Sequence, residues 1–176
     1  CDSVIAGNTV VHGTYNGGGG VRLQTGGTAR NCLIYHNTAP GPFYNYGGGV
    51  YCYCGGSLEN CTVAGNSADV GGGVMGEFGG SILNSVIWQN SARVGANWHE
   101  FEPYAVWAYC DTTPPVAGEG CLALDPLFRN GAGADFRLLP ASPCLDAGRC
   151  GGWMDGAFDV AGQPRVEEAL IVEEYG

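Results

Sequence analysis

Breaking a sugar chain, a peptide or a phosphate ester needs acids, bases or nucleophiles gathered at one place, and in this sequence such residues are scattered. Residues 1–92 contain only four carboxylates: Asp2, Glu59, Asp69 and Glu77. Elimination at a uronic sugar needs clustered carboxylates that hold calcium beside a base, and glycosidic hydrolysis needs paired acids. These four acids share no spacing, and neither do His12, His36 and His99. The nucleophile motif Gly-x-Ser-x-Gly is absent. Arg22 and Arg30 could serve as bases, but single surface arginines are ordinarily solvated. No catalytic residue is assigned and no enzyme is expected, with a polysaccharide lyase or hydrolase as the alternative.

Asp125, Asp135, Asp146, Asp155 and Asp159 lie closer together. Their spacing does not fit a calcium loop, and Asp before Pro or Gly is a common turn residue. Turns are the preferred reading, so no metal site and no cofactor are expected, with structural calcium as the alternative. The sequon Asn60-Cys61-Thr62 is set aside because Asn60 falls on a repeat position.

What remains for binding is a surplus of aromatic residues in two irregular inserts. Phe43, Tyr44, Tyr46, Tyr51 and Tyr53 form one group, and Trp98, Phe101, Tyr104, Trp107 and Tyr109 the other. Brought side by side, such rings suit glycans or a host or cell-surface protein. Alternatively, they fold over the domain and cover its apolar flank.

Composition narrows the partners. The 176 residues carry a net charge of -10, with seven Arg and no Lys, and offer no basic patch for nucleic acid. The longest apolar runs fall far short of the roughly 20 residues that span a bilayer. Nine Cys without paired zinc-type CxxC elements point to an oxidising compartment, hence to a secreted or cell-surface protein. No signal peptide precedes Cys1, so it is expected to have been removed or to lie in a longer chain.

The elements that must position these residues show in an internal repeat. The segment from Gly27 to Ala39, with Asn31-Cys32-Leu33-Ile34 and Asn37-Thr38-Ala39, recurs from Gly56 to Ala68 and again from Gly80 to Ala92. A partial copy opens the chain. Between the copies stand Gly18-Gly19-Gly20-Val21, Gly47-Gly48-Gly49-Val50 and Gly71-Gly72-Gly73-Val74. Aligning Cys1, Cys32, Cys61 and Ser85 gives periods of 31, 29 and 24 residues.

Short β-branched runs bounded by Asn and Gly lack helical spacing, so each unit is a coil of two or three strands. A chain that returns to the same point each turn pairs them in parallel, about 4.8 Å apart. The expected fold is all-β: a right-handed parallel β-helix of about four to five coils with an irregular, disulfide-containing C-terminal region. Residues 1–109 form the coils and 110–176 a final coil and cap of the same unit.

Asn8, Asn37, Asn66 and Asn90 should stack as one ladder and Asn31, Asn60 and Asn84 as a second. Ile5, Ile34, Val63 and Ile87 should point inward, with Cys1, Cys32, Cys61 and Ser85 on the same face two residues earlier. That column is read as small-residue packing, with a Cys32–Cys61 disulfide as the sharper alternative. Cys110 with Cys121 and Cys144 with Cys150 bracket short loops and are further disulfide candidates. An unpaired first coil would invite self-association into an oligomer or fibre.

The alternation of Val/Ile-x-x-Asn with Gly-Gly-Gly-Val resembles the repeats of bacterial polymorphic outer-membrane proteins and related surface β-helices, over roughly residues 1–92. Cys110-Asp111-Thr112-Thr113-Pro114-Pro115, Leu124-Asp125-Pro126-Leu127-Phe128, Ser142-Pro143-Cys144-Leu145-Asp146-Ala147-Gly148 and Glu174-Tyr175-Gly176 are similar to the closing, choice-of-anchor-type region of large secreted β-helix proteins. The resemblance implies export and a surface location, and it fixes no substrate.

Overall fold

The computed structural model describes residues 2–10, 17–41, 44–159 and 162–164. Cys1, His12, Phe43 and the terminal Glu174-Tyr175-Gly176 lie outside them. The chain winds into a parallel β-solenoid of about four turns. After β1 (Ser3–Ala6), one coil contains β2 (Val21–Gln24), β3 (Thr28–Arg30), β4 (Cys32–Tyr35) and β5 (Thr38–Ala39). The next holds β6 (Val50–Tyr53), β7 (Ser57–Glu59), β8 (Thr62–Ala64) and β9 (Ser67–Val70). The third holds β10 (Val74–Glu77), β11 (Gly80–Leu83), β12 (Val86–Trp88) and β13 (Ser91–Val94). β14 (Trp98–Glu100), β15 (Ala105–Ala108) and β16 (Asp111–Thr112) close the stack, and β17 (Phe128–Asn130) with β18 (Asp135–Leu138) forms an antiparallel hairpin.

Each full coil therefore carries four strands rather than two or three. They stack as sheet 1 (β2-β6-β10-β14), sheet 2 (β3-β7-β11-β15), sheet 3 (β1-β4-β8-β12-β16) and sheet 4 (β5-β9-β13). Positive-φ residues make the corner between sheets 2 and 3: Asn31, Asn60 and Asn84 lie at φ 56, 51 and 47°, where Asn tolerates the left-handed backbone.

The aliphatic column is as expected. Ile34, Val63 and Ile87 are fully buried and in register, with Ile5 before them and Thr112 after. Burying each such side chain contributes about 1.5–3 kcal/mol. The column two residues earlier needs a correction: Ser3, not Cys1, pairs with Cys32. Strand alternation requires this, because only Ser3 lies two positions before Ile5. Placing Ser3 there makes the first period match the second.

The first asparagine ladder runs through the interior. Asn66 Oδ1 accepts from the backbone N–H of Asn37 (2.9 Å) and from its Nδ2 (3.0 Å). Asn66 Nδ2 donates to Asn90 Oδ1 (3.0 Å) and to Ile34 O (3.0 Å). Asn8 and Asn90 repeat the pattern, so the ladder satisfies its own amides without water.

The glycine triplets explain how the coils approach so closely. A Cβ on Gly48 would lie 2.4 Å from Ser67 O, at the end of its own coil, and 2.5 Å from Gly72 O of the next, both backbone atoms. On Gly73 it would lie 2.7 Å from Asn90 Nδ2. In the last coil the same place is filled by Asn97, within a degenerate fourth copy, Gly95-Ala96-Asn97-Trp98, whose carbonyls accept from Gly72, Gly73 and Val74. Asn97 Oδ1 accepts from Asn90 N (3.0 Å), and its Nδ2 donates to Thr113 O (2.9 Å), ending the ladder.

The second ladder is an outer landing strip. Asn84 exchanges two hydrogen bonds with the backbone of Arg149 (2.8 and 2.9 Å), Asn60 reaches Met154 Sδ (3.9 Å), and Asn31 donates to Phe158 O (2.8 Å). The C-terminal segment thus walks back along the solenoid, with Arg30 stacked under Trp153 at 4.7 Å. Earlier in the same region Phe136 packs on Tyr35 of sheet 3 at 5.4 Å.

Candidate binding face

Residues immediately after the valine of each triplet copy project outward from sheet 1. Arg22, Tyr51, Met75 and His99 lie in one register row, with Gln24, Tyr53 and Glu77 in the next. Tyr44 and Tyr46 enter from the insert before β6, while Phe78 and Phe101 follow the ends of β10 and β14. The rings form a continuous chain of contacts. Tyr46 meets Tyr44, Tyr51 and Phe101 at centroid distances of 6.2, 5.7 and 5.2 Å. Tyr53 meets Tyr51 at 5.8 Å and Phe78 at 5.7 Å, and His99 meets Phe101 at 5.7 Å. Most of these pairs are tilted or edge-on, the arrangements that the ring quadrupole favours.

The cluster has a floor and a surface. Tyr46, Tyr51, Val70 and Met75 are buried under it, whereas Tyr44, Phe78 and Phe101 expose 48, 54 and 46% of their area. Arg22 lies 5.0 Å from the Tyr51 centroid and 5.5 Å from that of Tyr53, a cation–π arrangement that leaves guanidinium edges at the surface. The Tyr51 hydroxyl donates to Glu77, and burial together with that carboxylate raises its pKa. Burial also lowers the pKa of His99, which favours the neutral ring.

The second aromatic group divides. Phe101 joins the face, and Tyr104 is exposed on the turn between β14 and β15. Trp98 and Trp107 do not belong to a binding surface. Trp98 continues the inward column Val21-Val50-Val74, and Trp107 continues Ala29-Leu58-Ile82. Their rings meet at 5.5 Å inside the last coil. Their polar edges are satisfied by Pro114 O (2.8 Å) and by Glu100, which occupies the space left by Gly76. Both tryptophans plug the end of the core, and alternation within β14 and β15 dictates it.

The acids are held by structural partners. Glu59 pairs with Arg30 at 2.7 Å, and Asp69 pairs with Arg93 at 2.8 Å, which keeps its carboxyl below the usual range. Asp125 accepts from Leu127 N, Asp159 from Gln163 N, and Asp135 pairs with Arg137. Among the described residues no group of three or more His, Cys, Asp or Glu stands close enough to hold a metal ion.

Asp111 is the exception in being buried without a cation. It accepts from Leu124 N and from the Cys144 thiol, each at 3.0 Å, and burial raises its pKa. Burial and this carboxylate together push Cys144 up to about 12. The described cysteines are thiols. Cys144 donates to Asp111, and Cys150 is exposed.

Arg22, Met75, Phe78 and His99 were not found as members of the face from the sequence. Aligning the triplet copies would have exposed three of them, since each follows a triplet's last apolar residue. Among the described residues no helix is long and apolar enough to cross a membrane. Comparison with protein-family models, curated proteins and solved structures gave no match. The family resemblance of the repeats and C-terminal motifs rests on those motifs.

Proposed function

We propose that this chain is a secreted or cell-surface binding element, adhesin-like in role, that takes up a glycan on the outer face of sheet 1. The observation that carries the reading is the run of exposed rings at Tyr44, Phe78 and Phe101 beside the half-buried Tyr53, flanked by Arg22, on a parallel sheet. Exposed apolar patches rimmed by polar groups mark interaction sites. Rings spaced along a solenoid offer flat apolar faces to successive sugars, while Arg22, Glu77 and Tyr53 supply hydrogen-bonding edges. The likeness of the repeats to bacterial surface β-helices supports the location.

Retention on immobilised oligosaccharides, covering cello-, xylo-, chito- and galacturono-series, tests it. The wild-type chain is expected to be retained by at least one series and Phe101→Ala to be retained more weakly. Failure of all series to retain the chain would overturn the glycan reading. Release of new reducing or unsaturated ends from the same sugars would replace it with the enzymatic one.

A further inference from the structure

The column that begins at Ser3 runs further than the three repeat copies. Ser3 pairs with Cys32, Cys32 stands over Cys61, and Cys61 N–H donates to Ser85 Oγ (3.1 Å). The pairing of Val86 with Asp111 puts Cys110 on the next rung, and the bridges Ala108–Glu119 and Asp111–Leu122 put Cys121 on the one after. The rungs therefore read Ser, Cys, Cys, Ser, Cys, Cys. Each side chain from Cys32 to Cys110 donates to the carbonyl two residues before it: Arg30 O, Glu59 O, Leu83 O and Ala108 O, at 3.2, 3.2, 2.8 and 3.3 Å. Serine and cysteine thus occupy one kind of site, and serine at Ser85 separates the cysteines into two adjacent pairs.

We propose that this column is a site of oxidative cross-linking, in which Cys32 bonds to Cys61 and Cys110 to Cys121, stapling consecutive coils. In-register neighbours on parallel strands are about 4.8 Å apart at Cα, inside the range of about 4.4–6.8 Å that a disulfide spans. Cys32 N–H already lies 3.4 Å from Cys61 Sγ. Cys52 belongs to a different column, between Leu23 and Gly76, and Cys144 is held by Asp111.

Cys32 and Cys61 are 5 and 2% exposed, so an oxidant reaches them before the coils close. The oxidant required is a small-molecule or protein disulfide. A Cys32 thiolate attacks one of its sulfurs, forming a mixed disulfide and expelling one thiolate. Cys61, after losing its proton to solvent, attacks the Cys32 sulfur and expels the second. Two protein thiols lose two protons and two electrons, and one oxidant disulfide becomes two thiols.

The test is refolding of the full chain in mixed oxidised and reduced glutathione, alkylation, and peptide mapping without reductant. Cleavage after Glu59 and Glu119 falls inside both closed loops, and a chymotryptic step separates Cys32 from Cys52. Linked peptides containing Cys32 with Cys61 and Cys110 with Cys121 are expected. Alkylation at either member of a pair, or its linkage elsewhere, overturns that pair. Cys61→Ser, which places on its rung the residue already present at Ser3 and Ser85, is expected to fold and to leave Cys32 alkylated. Cys32 linked to another cysteine in that variant would overturn the assignment. A thermal midpoint that falls on reduction in the wild type but not in Cys32→Ser/Cys110→Ser completes the expected set, and equal insensitivity in both would contradict it.

Discussion

Sheets 1 and 3 are built from the same coils, yet their outer faces meet opposite fates. Over sheet 3 and its corner with sheet 2 the chain returns: Phe136 covers Tyr35, and residues 149–158 settle along Asn84, Asn60 and Asn31 at the corner. Over sheet 1 the described chain supplies only Tyr44 and Tyr46 from a single insert, and the rings at Phe78 and Phe101 stay open to solvent. A solenoid face covered by its own strap is part of the fold, whereas the sheet 1 face, among the described residues, keeps aromatic rings at its surface.

The two asparagine ladders differ in the same way, and the sharpest break comes from inside. Asn66→Ala removes the acceptor of two Asn37 N–H groups and the donor to Ile34 O in a dry column. Each buried orphan costs about 1–3 kcal/mol, so a loss of about 3 kcal/mol or more is expected in chemical denaturation. Asn84→Ala on the strip is expected to cost about 1–2 kcal/mol, because its two bonds to Arg149 can be replaced by water. Hydrogen exchange should quicken over residues 149–158 in that variant and not over sheet 1.

On the open face, Phe101→Ala is expected to weaken sugar retention by about 3- to 10-fold, the equivalent of about 0.5–1.5 kcal/mol for one ring contact. Its effect on stability should be smaller than that of Asn84→Ala. The smallest effect concerns Asp111, whose folded carboxyl has a raised pKa. Its protonated form is the one favoured in the fold, so its contribution is most favourable below the ordinary carboxyl value near 3.8. Stability falls as pH rises through that value and levels off above the raised one. Asp111→Asn should flatten this part of a pH titration of the denaturation midpoint.

The stacking was legible because inward residues and coil corners repeat in type. Ile34, Val63 and Ile87, with Asn37, Asn66 and Asn90, obey one geometric rule at every turn. The fourth sheet was not, since β5 holds only Thr38–Ala39 and has no apolar run to announce it. Asn97 and Cys110 were missed as ladder members because the last coils are short and their glycine triplet has decayed to Gly95-Ala96-Asn97. Trp98 and Trp107 looked like surface aromatics because tryptophan fills these inward positions only where the stack ends. The binding face was half legible. Its tyrosines cluster in sequence, but Arg22, Met75 and His99 meet Tyr51 only through register across coils.

The claim that the sheet 1 face exists for binding rather than cover is tested most directly by one paired measurement on Phe78→Ala/Phe101→Ala: thermal midpoint and oligosaccharide retention on the same preparation. Retention should be lost while the midpoint stays close to that of the wild type. A midpoint lowered as far as that of Asn66→Ala, with retention intact, would show that the rings are cover.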